Sequence, residues 1–217
     1  MFEMLKLYGF AVSDYYNMVK AALLEKGFQF EEVPVQPGAD PAFLSKSPMG
    51  KIPCLEVDEG FITETNVILE FIEDVSSDLP LFPAEPFRRA KVRELMKSTE
   101  LYLELVARQL FGAVFFGAPL PDETRDAVAA QLDKGVAALN KLLHFQPYAA
   151  GTELSYADFV LYYTATLGDM AIQKALGRKL ADEIPGLAEW LALMEQNPSV
   201  QEVNRDRDQA LKKMMGG

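Results

Sequence analysis

Ser47-Pro48-Met49-Gly50-Lys51-Ile52-Pro53-Cys54-Leu55-Glu56-Val57-Asp58-Glu59-Gly60-Phe61-Ile62-Thr63-Glu64-Thr65 is the stretch from which the fold is read. Cys54-Leu55-Glu56-Val57 alternates as a strand does. Asp58-Glu59-Gly60 supplies turn residues, with a glycine where a positive φ is accommodated. Phe61-Ile62-Thr63 is the return strand, and Glu64-Thr65-Asn66 opens an apolar helix over 67–75. Pro53 has no N–H and therefore belongs at the entrance of the first strand, outside its ladder.

The same stretch has the elements of a binding site. The residue before Pro53 can keep both backbone polar groups open to an extended peptide. The helix after the hairpin points its first amides outward, where they attract a carboxylate. An open edge, a lysine, a glutamate and a helix N-terminus, all within residues 51–65, suit a small zwitterionic peptide.

Towards the N-terminus, residues 4–9 alternate as a strand. Ser13-Asp14 is a natural N-cap pair for a helix over 14–25 that stops at Gly27. Its apolar face holds Val19, Ala22 and Leu23. Residues 28–35 form a second strand, parallel to the first through a crossover helix, and 41–46 form a helical turn. The order β-α-β-α-β-β-α is a thioredoxin-like layout. Towards the C-terminus, Pro80, Pro83 and Pro86 mark a linker, after which the strand signal stops. Helical periodicity runs over 87–116, 122–143, 156–167 and 184–196, and again from Pro198. Ser155-Tyr156-Ala157-Asp158 has the form of a capping box. The expected fold is thus α/β followed by all-α. Residues 1–80 form a thioredoxin-like domain, 81–86 the linker and 87–217 an all-helical domain.

Composition excludes several functions. The net charge is −11, of which residues 1–80 carry −9 and the remainder −2. An acidic chain with no basic stripe is unsuited to nucleic acid or to anionic membrane surfaces. No apolar run approaches the length of a spanning helix, and no secretory leader is read, so a cytoplasmic location is expected. A single cysteine, Cys54, gives no intrachain disulfide and no C-x-x-C redox pair, and is expected to be a buried strand residue. One cysteine and one histidine, His144, show no metal-ligand spacing, so no metal is expected. His144 reads as a helix-end residue and Trp190 as core.

Ser13 is the first candidate for chemistry. A hydroxyl at a helix N-terminus can donate to a thiolate, which the helix end also favours. Lowering a thiol pKa by two units takes about 2.7 kcal/mol, the scale of one charge-assisted hydrogen bond plus a helix end. The alternative is that Ser13 and Asp14 only cap the helix. Tyr8, at the end of the first strand, is the second candidate, with Tyr15 and Tyr16 as further hydroxyls nearby.

Pro48-Met49-Gly50-Lys51-Ile52-Pro53 followed by Glu64-Thr65 resembles the N-P-x-x-K-V-P … E-S pattern of cytosolic glutathione transferases, and the two-domain order resembles that family along nearly the whole chain. Ser13, six residues before Val19, resembles the S-P-F-x-x-R-V pattern of the serine-type members. Asp14 stands at that pattern's proline and Met18 at its basic residue. The resemblance implies glutathione as co-substrate, no metal, a cis Pro53 and a homodimer. It implies that Glu64 takes the ammonium of the γ-glutamyl unit, Thr65 its carboxylate, Ile52 the cysteinyl backbone, and Lys51 the glycyl carboxylate, with Lys46 a second candidate there. Ser13, or alternatively Tyr8, would activate the thiol for attack on a small hydrophobic electrophile, a detoxification chemistry. Phe10, Val12, Phe111 and Phe115, with Phe116 beside them, are the candidate lining of the electrophile pocket. Two other readings use the same fold. One is a non-catalytic regulator that binds protein partners. The other is a glutathione-dependent isomerase, disfavoured because Val12-Ser13-Asp14 stands where the isomerases carry Ser-Ser-Cys.

Overall fold

A computed structural model describes residues 5–76 and 78–215. Met4, expected to begin the first strand, lies outside the described residues. The chain divides into two compact units, Met1–Leu81 with Gln196–Gly217, and Phe82–Glu195.

The first unit is built on strands β1 (Leu5–Gly9), β2 (Phe30–Pro34), β3 (Cys54–Val57) and β4 (Gly60–Thr63). Their order is β2-β1-β3-β4, with β1 parallel to β2 and antiparallel to β3. Alternation in β1 buries Leu5 and Leu7 and turns Lys6 and Tyr8 to the other face. Register puts Tyr8 opposite Cys54 and Lys6 opposite Glu56, so these four share that second face. Helix α1 (Asp14–Glu25) links β1 to β2 and buries Val19, Ala22 and Leu23, the face expected from the sequence. Helix α2 (Pro41–Leu44) precedes β3, and α3 (Thr65–Val75) follows β4 and buries Ile68, Leu69 and Ile72.

The last helix of the chain, α11 (Pro198–Met215), belongs to this unit by its contacts. The boundaries read from the sequence assign it to the helical domain, but its polar anchors are on α1. Lys20 pairs with Asp206 at 2.6 Å. Asn197 and Ser199 donate to Glu25 Oε2 at 3.0 and 2.8 Å. Buried Lys26 donates to Glu73 at 2.8 Å and to the carbonyls of Asp78 and Leu79 at 3.1 Å each, holding the exit of the unit to α1 and α3.

The second unit is helical: α4 (Pro86–Thr99), α5 (Leu105–Arg108), α6 (Phe111–Phe116), α7 (Asp122–Leu142), α8 (Tyr156–Leu176), α9 (Leu180–Glu183) and α10 (Leu187–Met194). The single helix expected over 87–116 is interrupted. A π-helical segment, Glu100–Glu104, joins α4 to α5, and α6 is separate. The π segment brings the Tyr102 carbonyl against α7, where a Cβ on Gly135 would lie 2.1 Å from it. Helix α8 runs to Leu176, beyond the expected 167, and is capped by Gly177 in the left-handed conformation. At its start Asp158 is fully buried. It accepts hydrogen bonds from Ser155 N and Oγ at 2.9 Å each, from Ala149 N at 2.7 Å and from Trp190 Nε1 at 3.0 Å. The capping box read from the sequence is present, and Trp190 is core.

Candidate functional site

The β1–α1 turn is shaped by Gly9 and Tyr16. A Cβ on Gly9, whose φ is +154°, would lie 2.3 Å from the Tyr16 ring, so that ring seats directly on the glycine. The turn is closed by Ser13 N donating to Phe10 O at 3.1 Å and by Asn17 Nδ2 donating to Ala11 O at 2.9 Å. Ser13 is the N-cap of α1, and its Oγ accepts from Tyr16 N at 3.3 Å. Among the described residues the Ser13 hydroxyl donates to nothing, so its proton is available to a ligand. Asp14 is buried in the first turn, with Oδ1 accepting from Tyr15 N at 2.9 Å.

Before β3 the loop is fixed from inside. The buried Ser47 hydroxyl donates to Lys51 O at 2.7 Å and accepts from Lys51 N at 3.1 Å. Gly50 has φ +60°, and a Cβ there would lie 2.1 Å from Gly38 O, so only glycine fits. The Ile52–Pro53 bond is cis. Ile52 makes no backbone hydrogen bond among the described residues, so its N–H and C=O stay open to an added extended chain. Lys51 is exposed. Neither Ser47 nor Gly50 is singled out by sequence reasoning, although Gly50 lies inside the motif that marks this loop.

After β4, Glu64 has φ 69° and ψ 116°, outside the regions where non-glycine residues ordinarily lie. Its carbonyl accepts from Ile68 N at 3.0 Å while its side chain caps nothing. The Glu64 carboxylate is therefore exposed and does not cap the start of α3, and Thr65 beside it is buried. A non-glycine residue held in a sparsely populated conformation costs about 1–3 kcal/mol, and such strain concentrates at ligand clamps.

Tyr8 is engaged elsewhere. Its phenol donates to Glu56 Oε2 on the half-buried second face of the sheet. Lys46 Nζ lies 3.2 Å from the Tyr8 hydroxyl and 3.4 Å from Glu56, and Lys6 pairs with Glu56 at 3.1 Å. Lys46 also sits over the rings of Phe61 and Tyr8, at 4.2 and 4.9 Å. Burial and the Glu56 carboxylate push the Tyr8 phenol up. Tyr8, Lys6 and Lys46, against the cost of burial, hold the Glu56 carboxyl below its usual range. Cys54, on the same face, is fully buried, and burial pushes its thiol up to about 11, the signature of an unreactive packing residue.

The apolar candidates lie in both units. Phe10 and Val12 are half-buried in the turn that carries Ser13. In the second unit Phe111 is buried edge-to-face against the exposed Phe115 at 5.2 Å, with the Arg108 guanidinium 4.9 Å over Phe111. Phe116 is exposed. His144 is exposed and its N–H donates to Ala149 O at 3.0 Å. Among the described residues there is no group of side chains suited to a metal ion, and no helix is long and apolar enough to cross a membrane.

A mixed four-stranded sheet with a cis proline before β3 and a strained residue opening α3, followed by a helical unit, defines a thioredoxin-like domain with an all-helical one after it. Comparison with known proteins agrees. Residues 7–78 match the family model of the glutathione S-transferase N-terminal domain, and residues 122–193 that of the C-terminal domain. A glutathione S-transferase of Pseudomonas putida is 42% identical over 98% of this chain and 96% of its own. A zeta-class glutathione S-transferase of Euphorbia esula is 32% identical over 72% of each. The crystal structure of a glutathione S-transferase from Pseudomonas fluorescens superposes with a TM-score of 0.75 at 29% identity, over 91% of this chain and 97% of that one. The chain belongs to the glutathione S-transferase family.

Proposed function

We propose that the protein is a serine-type glutathione transferase that conjugates the glutathione thiolate to a small apolar electrophile. The observation that carries the reading is Ser13. It is an N-cap hydroxyl that accepts from its own helix and whose proton has no acceptor among the described residues. A thiolate placed there receives that proton as a hydrogen bond and faces the positive end of α1. The tripeptide runs along Ile52, whose open N–H and C=O pair with the cysteinyl unit. Lys51 meets the glycyl carboxylate, Glu64 the γ-glutamyl ammonium, and Thr65 with the first amides of α3 the γ-glutamyl carboxylate. The Tyr8 phenol donates to Glu56, which favours Ser13 over Tyr8 as the activating group. Phe10 and Val12, half-buried in the turn that carries Ser13, supply apolar surface for the electrophile. No metal takes part. We further infer a cytoplasmic homodimer acting in detoxification, to be checked by light scattering of the purified protein.

Ser13→Ala removes the one donor aimed at the thiolate. It is expected to lower kcat/KM with glutathione and a chlorodinitrobenzene about 100-fold, the scale of losing one preorganised donor. Activity kept within twofold of the parent overturns the assignment. A second reading, a partner-binding protein without transferase activity, draws support from the carboxylate of Asp14, buried next to Ser13, which repels an anion there. Glutathione binding without turnover of any electrophile supports it.

A further inference from the structure

The proposed chemistry uses Ser13 and leaves unexplained a charged network directly behind it. Tyr16 is tied at both ends. Its backbone N–H donates to Ser13 Oγ at 3.3 Å, and its phenol donates to Glu32 Oε2 on β2 at 2.5 Å. Its ring is pinned between them on Gly9. Glu32 Oε1 accepts in turn from Lys20 Nζ at 2.6 Å, and the same ammonium donates to Asp206 Oδ2 on α11 at 2.6 Å. Lys20 is 2% exposed. A buried ammonium bridging two part-exposed carboxylates fixes the direction of both, and losing either leaves a buried charge only half paired.

We propose that Tyr16, Glu32, Lys20 and Asp206 form a positioning relay for Ser13, so that the C-terminal helix, remote in sequence from the glutathione motifs, helps set the orientation of the hydroxyl that meets the thiolate. The proposal rests on the reading of Ser13 given above. The N–H of Tyr16 reaches Ser13 Oγ only while the Tyr16 side chain holds the first turn of α1 against β1. That side chain is anchored by Glu32, and Glu32 is held by Lys20, which α11 clamps from the other side. With one lone pair of Ser13 Oγ occupied by the Tyr16 N–H, the hydroxyl proton is directed away from the helix, towards a ligand. Burial and the Glu32 carboxylate push the Tyr16 phenol far above its ordinary value, so it stays a donor throughout the working pH range. The charged or titratable groups facing the turn and the relay are Asp14, Tyr16 and Lys20 on α1, Glu32 on β2, and Glu202 and Asp206 on α11.

A purely structural role, holding α11 on α1, is separable because α11 has a second anchor. Asn197 and Ser199 bind Glu25 at the far end of α1 from Ser13. The test is a pH titration of the ultraviolet thiolate band of glutathione bound to the intact protein and to Tyr16→Phe, Asp206→Asn, Asn197→Ala and Ser13→Ala. Tyr16→Phe is expected to raise the thiol midpoint by about half a pH unit, the scale of one neutral hydrogen bond, with the glutathione Kd unchanged within twofold. Asp206→Asn is expected to shift it the same way, and covers the case in which Tyr16→Phe does not fold. Asn197→Ala is expected to leave the midpoint in place. The proposal is overturned if Tyr16→Phe and Asp206→Asn titrate with the parent, or if Asn197→Ala shifts as far as they do. If Ser13→Ala also titrates with the parent, the serine reading falls together with the relay. If Ser13→Ala shifts and the relay variants do not, only the relay falls.

Discussion

Two helices of this protein each carry an acid at their start, and the two acids stand in opposite situations. Helix α8 starts at Ser155 with Asp158 three residues on, and α3 starts at Glu64-Thr65. At α8 the carboxylate turns back into its own backbone, takes four hydrogen bonds and is sealed from solvent. At α3 the Glu64 side chain caps nothing, the backbone is held at φ 69°, and the carboxylate is exposed. The sealed terminus does structural work, since every donor it needs is internal. The open terminus carries a backbone conformation that is costly to the fold, and the proposed glutathione site gives that cost a purpose. An acid beside a helix start is therefore read by where its hydrogen bonds go, not by its presence.

Removing the two carboxylates breaks or sharpens this contrast, and the sealed one gives the largest effect. Asp158→Ala leaves the Trp190 indole N–H and the Ala149 and Ser155 amides buried without their acceptor. Each unsatisfied group costs about 1–3 kcal/mol, so a loss of at least about 3 kcal/mol in urea unfolding is expected. A loss below about 1 kcal/mol breaks the contrast. Glu64→Gly acts in the opposite direction on stability. Glycine accepts a positive φ without penalty, so the variant is expected to gain about 1 kcal/mol in the same unfolding experiment while losing affinity for glutathione. A destabilised Glu64→Gly shows that the carboxylate has a structural partner.

How much of this was legible in the sequence follows from the range of the interactions. The hairpin, the proline before β3 and the Ser155–Asp158 box are set by residues within a few positions of each other, and each was readable. The periodicity over 87–116 continues through the π segment, where the Tyr102 carbonyl meets Gly135 on another helix, a contact that no local pattern carries. The strain at Glu64 is a backbone property that an Glu-Thr pair does not announce. Lys20 and Asp206 are 186 residues apart, so the tie that places α11 on α1 had no signal in the order of residues. Tyr8 was a candidate by position alone, and the side chain that engages it, Glu56, comes from a neighbouring strand through the sheet register.

The smallest effect concerns that sheet face. The folded Glu56 carboxyl titrates below its ordinary 4.5, chiefly through the Tyr8 hydrogen bond, so the unfolded chain binds its proton first as the pH falls. Its contribution is therefore complete above the unfolded value and is lost as the pH drops through the folded one. Glu56→Gln is expected to flatten the acid limb of the stability profile below about pH 4.5 by less than about 1 kcal/mol, with no change at pH 7 in the shape of the curve. An acid limb identical to the parent's places Glu56 outside the network.

The central claim is that the open terminus at Glu64 belongs to a glutathione site. Calorimetric titration of glutathione into the intact protein and into Glu64→Gly at pH 7 tests it most directly. The account predicts saturable binding by the parent and an affinity at least about tenfold weaker in the variant, as expected for a lost charge-assisted contact worth about 1.5 kcal/mol. No binding by the parent, or equal binding by both, contradicts it.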